Sequence, residues 1–570
     1  MLSNFKFTLE YKLSLYGKKV VTSGNDTGYY KIELEEKDNT LSVKLIPKTK
    51  LYLLNAYLEY DQSYAKSDKV FVNGYQSWTT SREFAIDEVQ EGLRGVMKYL
   101  VPANKLLTIF GDYDFQHYSL KKGRFHSYSY TYIKKDDKIK LLGSLTERTG
   151  FTVFHHDTTA GKLTVQKDVE GVQADEAYSI FDIALVEDSY EKAFDKYFAM
   201  LNLPELKYDY MTGYTSWYNY YGKITEEILS RDIDGLATIG DKADIFQIDD
   251  GYQSAVGDWT TVKKDKFPNG MKFLADKIHS KGYKAGLWLG PFSAQRSSKV
   301  AKEHRDWLVI DPRTNRPQLG CIAWGGAYTL DFYKEGAREY IKNFFNVVLN
   351  EWGFDMVKLD FLYSICRTPR YGKSRGQIMC EGMDFLRECV GDKLLLGCGV
   401  PLFPAFGKVD FCRISCDVAP YFTDNFIVKN GNQEAFSTRN AMNNSMFRRH
   451  LDGRAFVNDP DVFYVRKSNL KGIDPLTTNR SKLNFTEEQK ELLATINNMF
   501  GSVLFESDNV GDFDEKQREL LLKTFTKSTK EILDVNYTST DDVEIDYIEN
   551  GKKYKMSFNI DNGKSSVVEV

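Results

Sequence analysis

The stretch "DMVKLDFLYS", residues 355–364, has the apolar composition of a buried β-strand but carries two charged side chains. Residues i and i+2 of a strand point to the same side, so Lys358 and Asp360 share one face with Met356. Burying an ammonium group and a carboxylate costs free energy unless the two are paired. A structural ion pair would explain the pattern, but the rest of the sequence favours a catalytic site.

Around this stretch, strand-like and helix-like segments alternate from about residue 208 onward. The candidate strands are residues 211–217, 243–249, 284–290, 328–332, 355–361, 393–399, 411–417 and 455–461. Several helix-like segments end in glycine, as helix C-termini commonly do. Eight strands alternating with helices predict a (β/α)8 TIM barrel. A doubly wound sheet is the main alternative, but no GxGxxG motif follows the first strand.

The regions before and after the predicted barrel have a different pattern of predicted strands and helices. Residues 1–195 read as short alternating strands separated by Gly, Asn, Asp and Lys, which is typical of an antiparallel β-sandwich. After residue 505, one helix-like segment precedes short strands such as "VEIDYIE". We therefore predict a multidomain α/β protein with an N-terminal β-sandwich (1–195), a catalytic barrel (196–505) and a small β-rich C-terminal domain (506–570).

Composition narrows the class of protein. The 570 residues have a net charge of −4, which gives no reason to expect a nucleic-acid or membrane partner. No apolar segment predicts a secretory signal or a membrane span. The seven cysteines form no close CxxC pair, which is typical of a reduced, cytoplasmic chain. The seven histidines are scattered, so we predict no metal and no cofactor.

Polar side chains gather where the predicted strands end, the position of active sites in barrels of this type. These residues are Asp249, Asp250, Trp288, Lys358, Asp360, Cys398, Gly399, Arg413, Asp417, Asp459 and Asp461. Each has an ordinary explanation as an ion pair, a core ring or a turn residue, and a turn is favoured for Asp459 and Asp461. Charges at the ends of four strands are nevertheless difficult to explain by packing alone, because barrel interiors are usually filled by Val, Ile and Leu.

This set is rich in carboxylates and lacks a nucleophile–histidine pair, a phosphate-binding loop or a metal cluster. Cleavage of a glycosidic bond needs two carboxyl groups in different environments. Lys358 beside Asp360 would keep that carboxylate ionised. We therefore interpret Asp360 as a candidate nucleophile, which Lys358 tunes while also binding the sugar. An indole such as that of Trp288 offers a flat apolar face to a pyranose ring.

At these positions the chain resembles the family 36 glycoside hydrolases, the α-galactosidases, and is most similar to their shorter bacterial branch. The matching stretches are "FVNGYQSW" (71–78), "FQIDDGYQ" (246–253), "GLWLGPF" (286–292), "VKLDFLY" (357–363), "LLGCGVPLFPAFGKVDFCRISCDVAP" (395–420) and "FVNDPDVF" (456–463). Six matches in the correct order extend the resemblance over nearly the whole chain. One departure precedes the last aspartate of residues 395–420, where Ser415-Cys416 replaces the Gly-Pro pair expected for this branch.

The resemblance implies a role for each candidate. Asp360 would be the nucleophile and Asp417 the acid/base, while Asp249 and Asp250 would bind the C4 and C6 hydroxyl region. The remaining implied contacts are Lys358 and Arg413 on ring hydroxyls, Trp288 along the galactose pocket, Cys398 and Gly399 near C2, and Trp78 at the rim.

The implied activity is that of a retaining exo-α-galactosidase on oligosaccharides such as melibiose or raffinose. An α-N-acetylgalactosaminidase on the same scaffold is the alternative, because the surroundings of Cys398 decide whether an acetamido group fits at C2. Transglycosylation and a non-catalytic sugar-binding protein are further alternatives. A metal-dependent barrel enzyme is disfavoured, because Lys358 and Arg413 would repel a cation. The sequence leaves a homo-oligomer open.

Overall fold

A computed structural model describes residues 3–92, 109, 112–431, 434, 436–468 and 482–570. The chain forms two compact units. The first comprises Met1–Glu205 with the segments Tyr363–Leu386 and Pro401–Lys408, and the second comprises Leu206–Leu362, Arg387–Val400 and Val409–Val570. The predicted domain boundaries at 195 and 505 stay predictions.

The first unit contains the expected antiparallel β-sandwich. One seven-stranded sheet consists of Lys6–Lys12, Val20–Ser23, Leu51–Asp61, Arg124–Tyr128, Phe151–Asp157, Lys162–Asp168 and Gln173–Ala174. The other consists of Tyr30–Lys37, Thr40–Pro47, Lys69–Val72, Arg82–Ala85, Tyr130–Lys135, Lys138–Ser144 and Tyr178–Asp188. Leu9 and Leu53 of one sheet share an apolar cluster with Val43 and Ile183 of the other. This shared core is what inward-facing alternate residues of two packed sheets produce.

The second unit is built on an eight-stranded parallel sheet, whose strands are labelled β1–β8. They are β1 (Met211–Thr215), β2 (Ile245–Ile248), β3 (Lys284–Leu289), β4 (Met356–Leu359), β5 (Leu394–Gly397), β6 (Phe411–Arg413), β7 (Val457–Asp459) and β8 (Val503–Glu506). β8 pairs with β1, and Ser502 N donates to Asn458 O at 3.0 Å beside β7, which nearly closes the sheet. The barrel architecture is thereby confirmed.

One predicted barrel strand is wrong, and one barrel strand was not predicted. Residues 328–332 were expected in the barrel, but Ala327–Thr329 lies in a small antiparallel sheet with Ser293–Gln295 and Leu319–Cys321. This prediction was wrong because alternation of apolar residues identifies a strand but not its partner. The missing barrel strand is β8, which lies beyond the predicted helix 485–500. Asp360 consequently follows the fourth barrel strand and not the fifth.

Helices connect most of the barrel strands. The α-helices of the described residues are Tyr190–Leu201, Trp217–Tyr220, Glu226–Leu236, Gly270–Ser280, Lys299–Glu303, Glu335–Asn346, Arg375–Val390, Leu402–Ala405, Phe426–Gly431, Thr438–Phe447, Glu487–Phe500 and Glu515–Thr524. Glu487–Phe500 begins at a capping box of Thr486 and Gln489, which satisfies two backbone donors of the first turn. It ends at Gly501, whose backbone is extended, and a Cβ at Gly501 would meet the Pro460 ring at 2.4 Å.

The end of the chain is a four-stranded antiparallel sheet, which agrees with the predicted β-rich terminus. Its strands are Glu531–Tyr537, Asp542–Glu549, Lys552–Asn559 and Ser565–Glu569. Throughout the described residues, every helix is too short or too polar to cross a membrane. All seven cysteines are free thiols, and six of them are buried.

Candidate active site

A buried ion pair joins the ends of β2 and β4. Lys358 Nζ donates to Asp249 Oδ2 at 2.8 Å, and both side chains are almost completely buried. Burial on its own would lower the pKa of Lys358, but the Asp249 carboxylate outweighs it and raises the pKa. We call these two residues the Lys358 pair. The sequence had suggested Asp360 as the partner of Lys358. Strand periodicity predicts the face on which a side chain lies, but it does not predict which side chain of another strand it contacts.

Asp360 follows β4 directly and is held by two N–H donors. Trp288 Nε1 donates to its Oδ2 at 3.1 Å, and the backbone N–H of Phe361 donates to its Oδ1 at 2.8 Å. Burial raises the pKa of the Asp360 carboxyl above its ordinary value. Lys358, as expected from the sequence, and the indole N–H of Trp288 both lower it, but they do not outweigh burial.

A second charged group, here called the Arg413 cluster, lies at the ends of β6 and β7. Arg413 Nη1 donates to Asp417 Oδ1 at 3.0 Å, and its Nη2 lies 2.6 Å from Asp461 Oδ1. Its Nε lies 3.6 Å from Asp459 Oδ2. Arg413, Asp459 and Asp461 are nearly inaccessible, whereas 37% of the Asp417 side chain is exposed. One guanidinium thus faces three carboxyl groups.

Asp461 is more than the turn residue expected from the sequence. The Tyr218 hydroxyl donates to its carboxyl group, and the Val418 N–H donates to Oδ2 at 2.7 Å. Burial raises the pKa of Asp461 to about 7, and the neighbouring carboxylates Asp417 and Asp459 add to this against the attraction of Arg413. Asp459 is likewise buried in the cluster and ends β7, whereas Asp461 lies in the loop after it with a φ of +82°.

Asp250 points to a tryptophan that the sequence analysis missed. Its Oδ1 accepts from Gln253 Nε2, and its Oδ2 accepts from Trp324 Nε1 at 2.8 Å. Burial raises the pKa of Asp250, while both donors lower it. The Trp324 ring also lies 5.9 Å from the Trp288 ring, centroid to centroid. The sequence signal was "WGG" (324–326), a bulky ring followed by a turn-forming glycine pair.

Cys398 and Gly399 follow β5. The Cys398 thiol is buried, and burial together with the Asp360 carboxylate raises its pKa, against Arg413 and Lys358. Gly399 has a φ of +53°, in the left-handed region that favours glycine. In the first unit, Trp78 is buried and contacts the Tyr363 ring edge-on with centroids 5.7 Å apart. Its predicted place at the pocket rim stays a prediction.

The barrel mouth therefore offers two carboxyl groups in unlike surroundings. Asp360 is buried between N–H donors, and Asp417 is partly exposed on a shared guanidinium. Among the residues that the structure describes, no group of three or more His, Cys, Asp or Glu side chains could hold a metal ion. Such a pair can attack an anomeric carbon and protonate a leaving oxygen.

Comparison with known proteins agrees with this chemistry. The Melibiase family model matches residues 215–378. Over 145 residues, 23% of this chain and 19% of the relative, the sequence is 34% identical to the α-galactosidase Mel36A of Lactobacillus acidophilus. Over 181 residues, 30% of this chain and 16% of the relative, it is 30% identical to the A type blood α-D-galactosamine galactosaminidase of Flavonifractor plautii. These alignments span less than a fifth of either relative.

A solved structure is similar over almost the whole chain. The α-galactosidase TtGalA of Thermus thermophilus, in complex with stachyose, superposes with a TM-score of 0.68 at 25% identity. The superposition covers 91% of this chain and 100% of that one. The similarity therefore includes the sandwich as well as the barrel that carries the candidate site.

Proposed function

We propose that this chain is a family 36 glycoside hydrolase, of the melibiase family, and that it acts as a retaining exo-α-galactosidase. Its substrates would be oligosaccharides with terminal α-linked galactose, such as melibiose or raffinose. The observation that carries the proposal is the pair of carboxyl groups, Asp360 and Asp417, in the contrasting surroundings described above.

In the first step, Asp360 attacks the anomeric carbon and the glycosidic bond to the leaving oxygen breaks. The Trp288 and Phe361 N–H groups hold the carboxylate in one orientation, which favours attack along a single line. Lys358 opposes the rise in pKa that burial causes and so increases the ionised fraction of Asp360. The product is a covalent galactosyl–enzyme.

Asp417 gives its proton to the leaving oxygen in the same step and then takes a proton from the water that attacks the galactosyl–enzyme. Its exposed position suits a group that meets the leaving sugar and solvent in turn. Arg413 is shared among three carboxyl groups, and Asp417 is the one that solvent reaches.

The remaining candidates would hold the sugar. Asp249 and Asp250 are assigned to the C4 and C6 hydroxyl region, and Lys358 and Arg413 to ring hydroxyls through charge-assisted hydrogen bonds. Trp288 presents an indole beside Asp360, where a pyranose ring would stack. Cys398 and Gly399 are assigned to the C2 side, and Trp78 to the rim.

An α-N-acetylgalactosaminidase is the second candidate, and the similarity to the Flavonifractor plautii galactosaminidase favours it. The test compares hydrolysis of p-nitrophenyl α-galactoside with that of its N-acetylgalactosamine analogue. A higher kcat/KM for the galactoside supports the proposal, and the reverse order assigns the second activity. Cys398→Gly is the companion variant, because removing the buried thiol should favour the acetamido sugar if Cys398 lies at C2.

Stereochemistry is tested by following the anomers with NMR. A retaining enzyme releases α-galactose first, and its two carboxyl groups lie about 5–5.5 Å apart. β-Galactose as the first product would overturn the double displacement. We further expect activity without added metal and unchanged by EDTA. The buried, reduced cysteines support a cytoplasmic location, and native mass spectrometry would determine whether the protein forms a homo-oligomer.

A further inference from the structure

The long connection between β3 and β4 brings a hairpin to the site. Leu319–Cys321 and Ala327–Thr329 pair antiparallel, and residues 322–326 between them form the hairpin tip. Ser293–Gln295, which comes soon after β3, pairs with the second of these strands. Arg296 N also donates to Gly326 O at 3.1 Å. The tip is thus anchored through its backbone to the end of β3.

Trp324 lies at this tip with a backbone conformation that residues with a bulky side chain rarely adopt. Trp324, Gly325 and Gly326 have consecutive φ values of +56°, +75° and +101°. Glycine accepts this region readily, but a bulky side chain remains there only where its surroundings hold it. Backbone strain of this kind is concentrated at functional sites.

The contacts of Trp324 lie at the ends of three successive barrel strands. Its indole N–H donates to Asp250 beyond β2, at 2.8 Å. Its ring lies 5.9 Å from the Trp288 ring on β3 and 5.0 Å from the Phe361 ring beyond β4, both centroid to centroid. The ring therefore borders one side of the candidate site, next to the carboxylate assigned to the C4 and C6 hydroxyls.

We propose that Trp324 is a specificity-determining residue that excludes galactosides substituted at O6 and orients Asp250 for the unsubstituted sugar. This inference rests on the proposed function and on the assignment of Asp250. In an α-1,6-linked galactose chain, every inner galactose carries its substituent on O6. A wall at that position restricts attack to the terminal residue, which gives the exo action a structural cause.

Three variants separate the two roles of the side chain. Trp324→Phe keeps a ring but loses the donor, Trp324→His keeps a donor on a smaller ring, and Trp324→Ala loses both. Trp307→Phe is the matched control, because Trp307 lies in the same connection and stacks on His304. Each protein is assayed with p-nitrophenyl α-galactoside and with its 6-O-methyl derivative, and melting temperatures are compared.

We expect Trp324→Ala and Trp324→His to lower the preference for the unsubstituted galactoside by about tenfold or more, the scale of steric discrimination in enzyme pockets. Trp324→Phe should keep the preference but raise KM by roughly tenfold, since a hydrogen bond to a charged group is lost. An unchanged preference in the Ala and His variants, with the wild type active, overturns this inference alone. A wild type inactive on p-nitrophenyl α-galactoside overturns the proposed function and this inference with it.

Discussion

The Lys358 pair and the Arg413 cluster lie at the same end of the barrel but balance their charges differently. In the pair, one ammonium group meets one carboxylate, and both are buried. In the cluster, one guanidinium meets three carboxyl groups, one of which reaches solvent. A matched pair fixes the charge of both members, whereas an excess of carboxyl groups keeps at least one of them ready to bind a proton. In the proposed mechanism, the Lys358 pair lies beside the nucleophile Asp360, and the Arg413 cluster contains the acid/base Asp417.

The sharpest test of the proposed nucleophile is Asp360→Ala. We expect turnover to fall by a factor on the order of 10⁵–10⁶, the scale seen when a covalent nucleophile is removed. Asp355→Ala is the matched control, because Asp355 precedes the same strand, β4, at the opposite end of the barrel. Near-normal turnover in Asp360→Ala, measured on folded protein with p-nitrophenyl α-galactoside, would move the nucleophile elsewhere, with Asp249 the first alternative.

The proposed acid/base is tested by Asp417→Ala. Activity on raffinose should fall by about 10²–10⁴-fold, the usual contribution of a general acid/base. The loss in the first step should be smaller with an aryl leaving group, which needs little protonation. Added azide should restore turnover and yield α-galactosyl azide, because azide attacks without help from a base.

Asp424→Ala is the competing variant for this role. Asp424 accepts a hydrogen bond from Ser437 Oγ at 2.7 Å, and burial raises its pKa to about 6, so it too could carry a proton. We expect it to retain activity on both substrate classes. Equal losses on both classes in Asp417→Ala, together with a leaving-group effect in Asp424→Ala, would transfer the acid/base role to Asp424.

The difference in charge balance is tested by stability. Lys358→Met should lower the free energy of unfolding by about 3–5 kcal/mol, because it leaves the Asp249 charge buried and unpaired. Adding Asp249→Asn should recover most of this loss. Arg413→Met should not be rescued by Asp461→Asn, because two other carboxyl groups remain. Urea midpoints followed by tryptophan fluorescence measure all four variants, and equal rescue in both groups would contradict the comparison.

The smallest expected effect is a change in the pH dependence of stability. The pKa of Asp461 rises from 3.8 to about 7 on folding, so the folded protein binds more protons between these values. Its contribution to stability is therefore present below about pH 4 and lost as the pH rises to about 7. Asp461→Asn should flatten the melting-temperature profile in this window.

Asp355→Asn is the control for that profile, because the pKa of Asp355 is lowered. Its stabilisation is present above its unfolded pKa and is lost only as the pH falls further. The slope between pH 4 and 7 should stay that of the wild type. A profile that Asp461→Asn leaves unchanged would mean that the proton resides on another member of the cluster.

Much of the barrel could be predicted because seven of its strands are apolar segments separated by helical ones. The exceptions have physical causes. Ala327–Thr329 is a strand, but its pairing is set by Ser293–Gln295 and Leu319–Cys321, which its own pattern does not reveal. β8 has only four residues and begins three residues after a helix ends, so its periodicity is too short to identify.

The candidate site shows the same limit. The period of two predicts that Lys358 and Asp360 share one face, but partners across the barrel depend on strand order and stagger. The sequence therefore missed the pairing of Lys358 with Asp249 and the buried position of Asp461. The contact between Trp324 and Asp250 was missed because it depends on a hairpin whose tip has three consecutive positive φ values.

The seven free thiols can report how fast the folded chain opens, because six of them are buried. Burial raises the pKa of every one of them, as in Cys366, where it reaches about 11. The thiolate is the form that attacks alkylating reagents, so at neutral pH the native protein should be almost inert to maleimide. Each labelled sulfur then records an opening of the barrel or its neighbouring segments. The number of labels gained with time in a mass spectrum would separate local opening from global unfolding without an added probe.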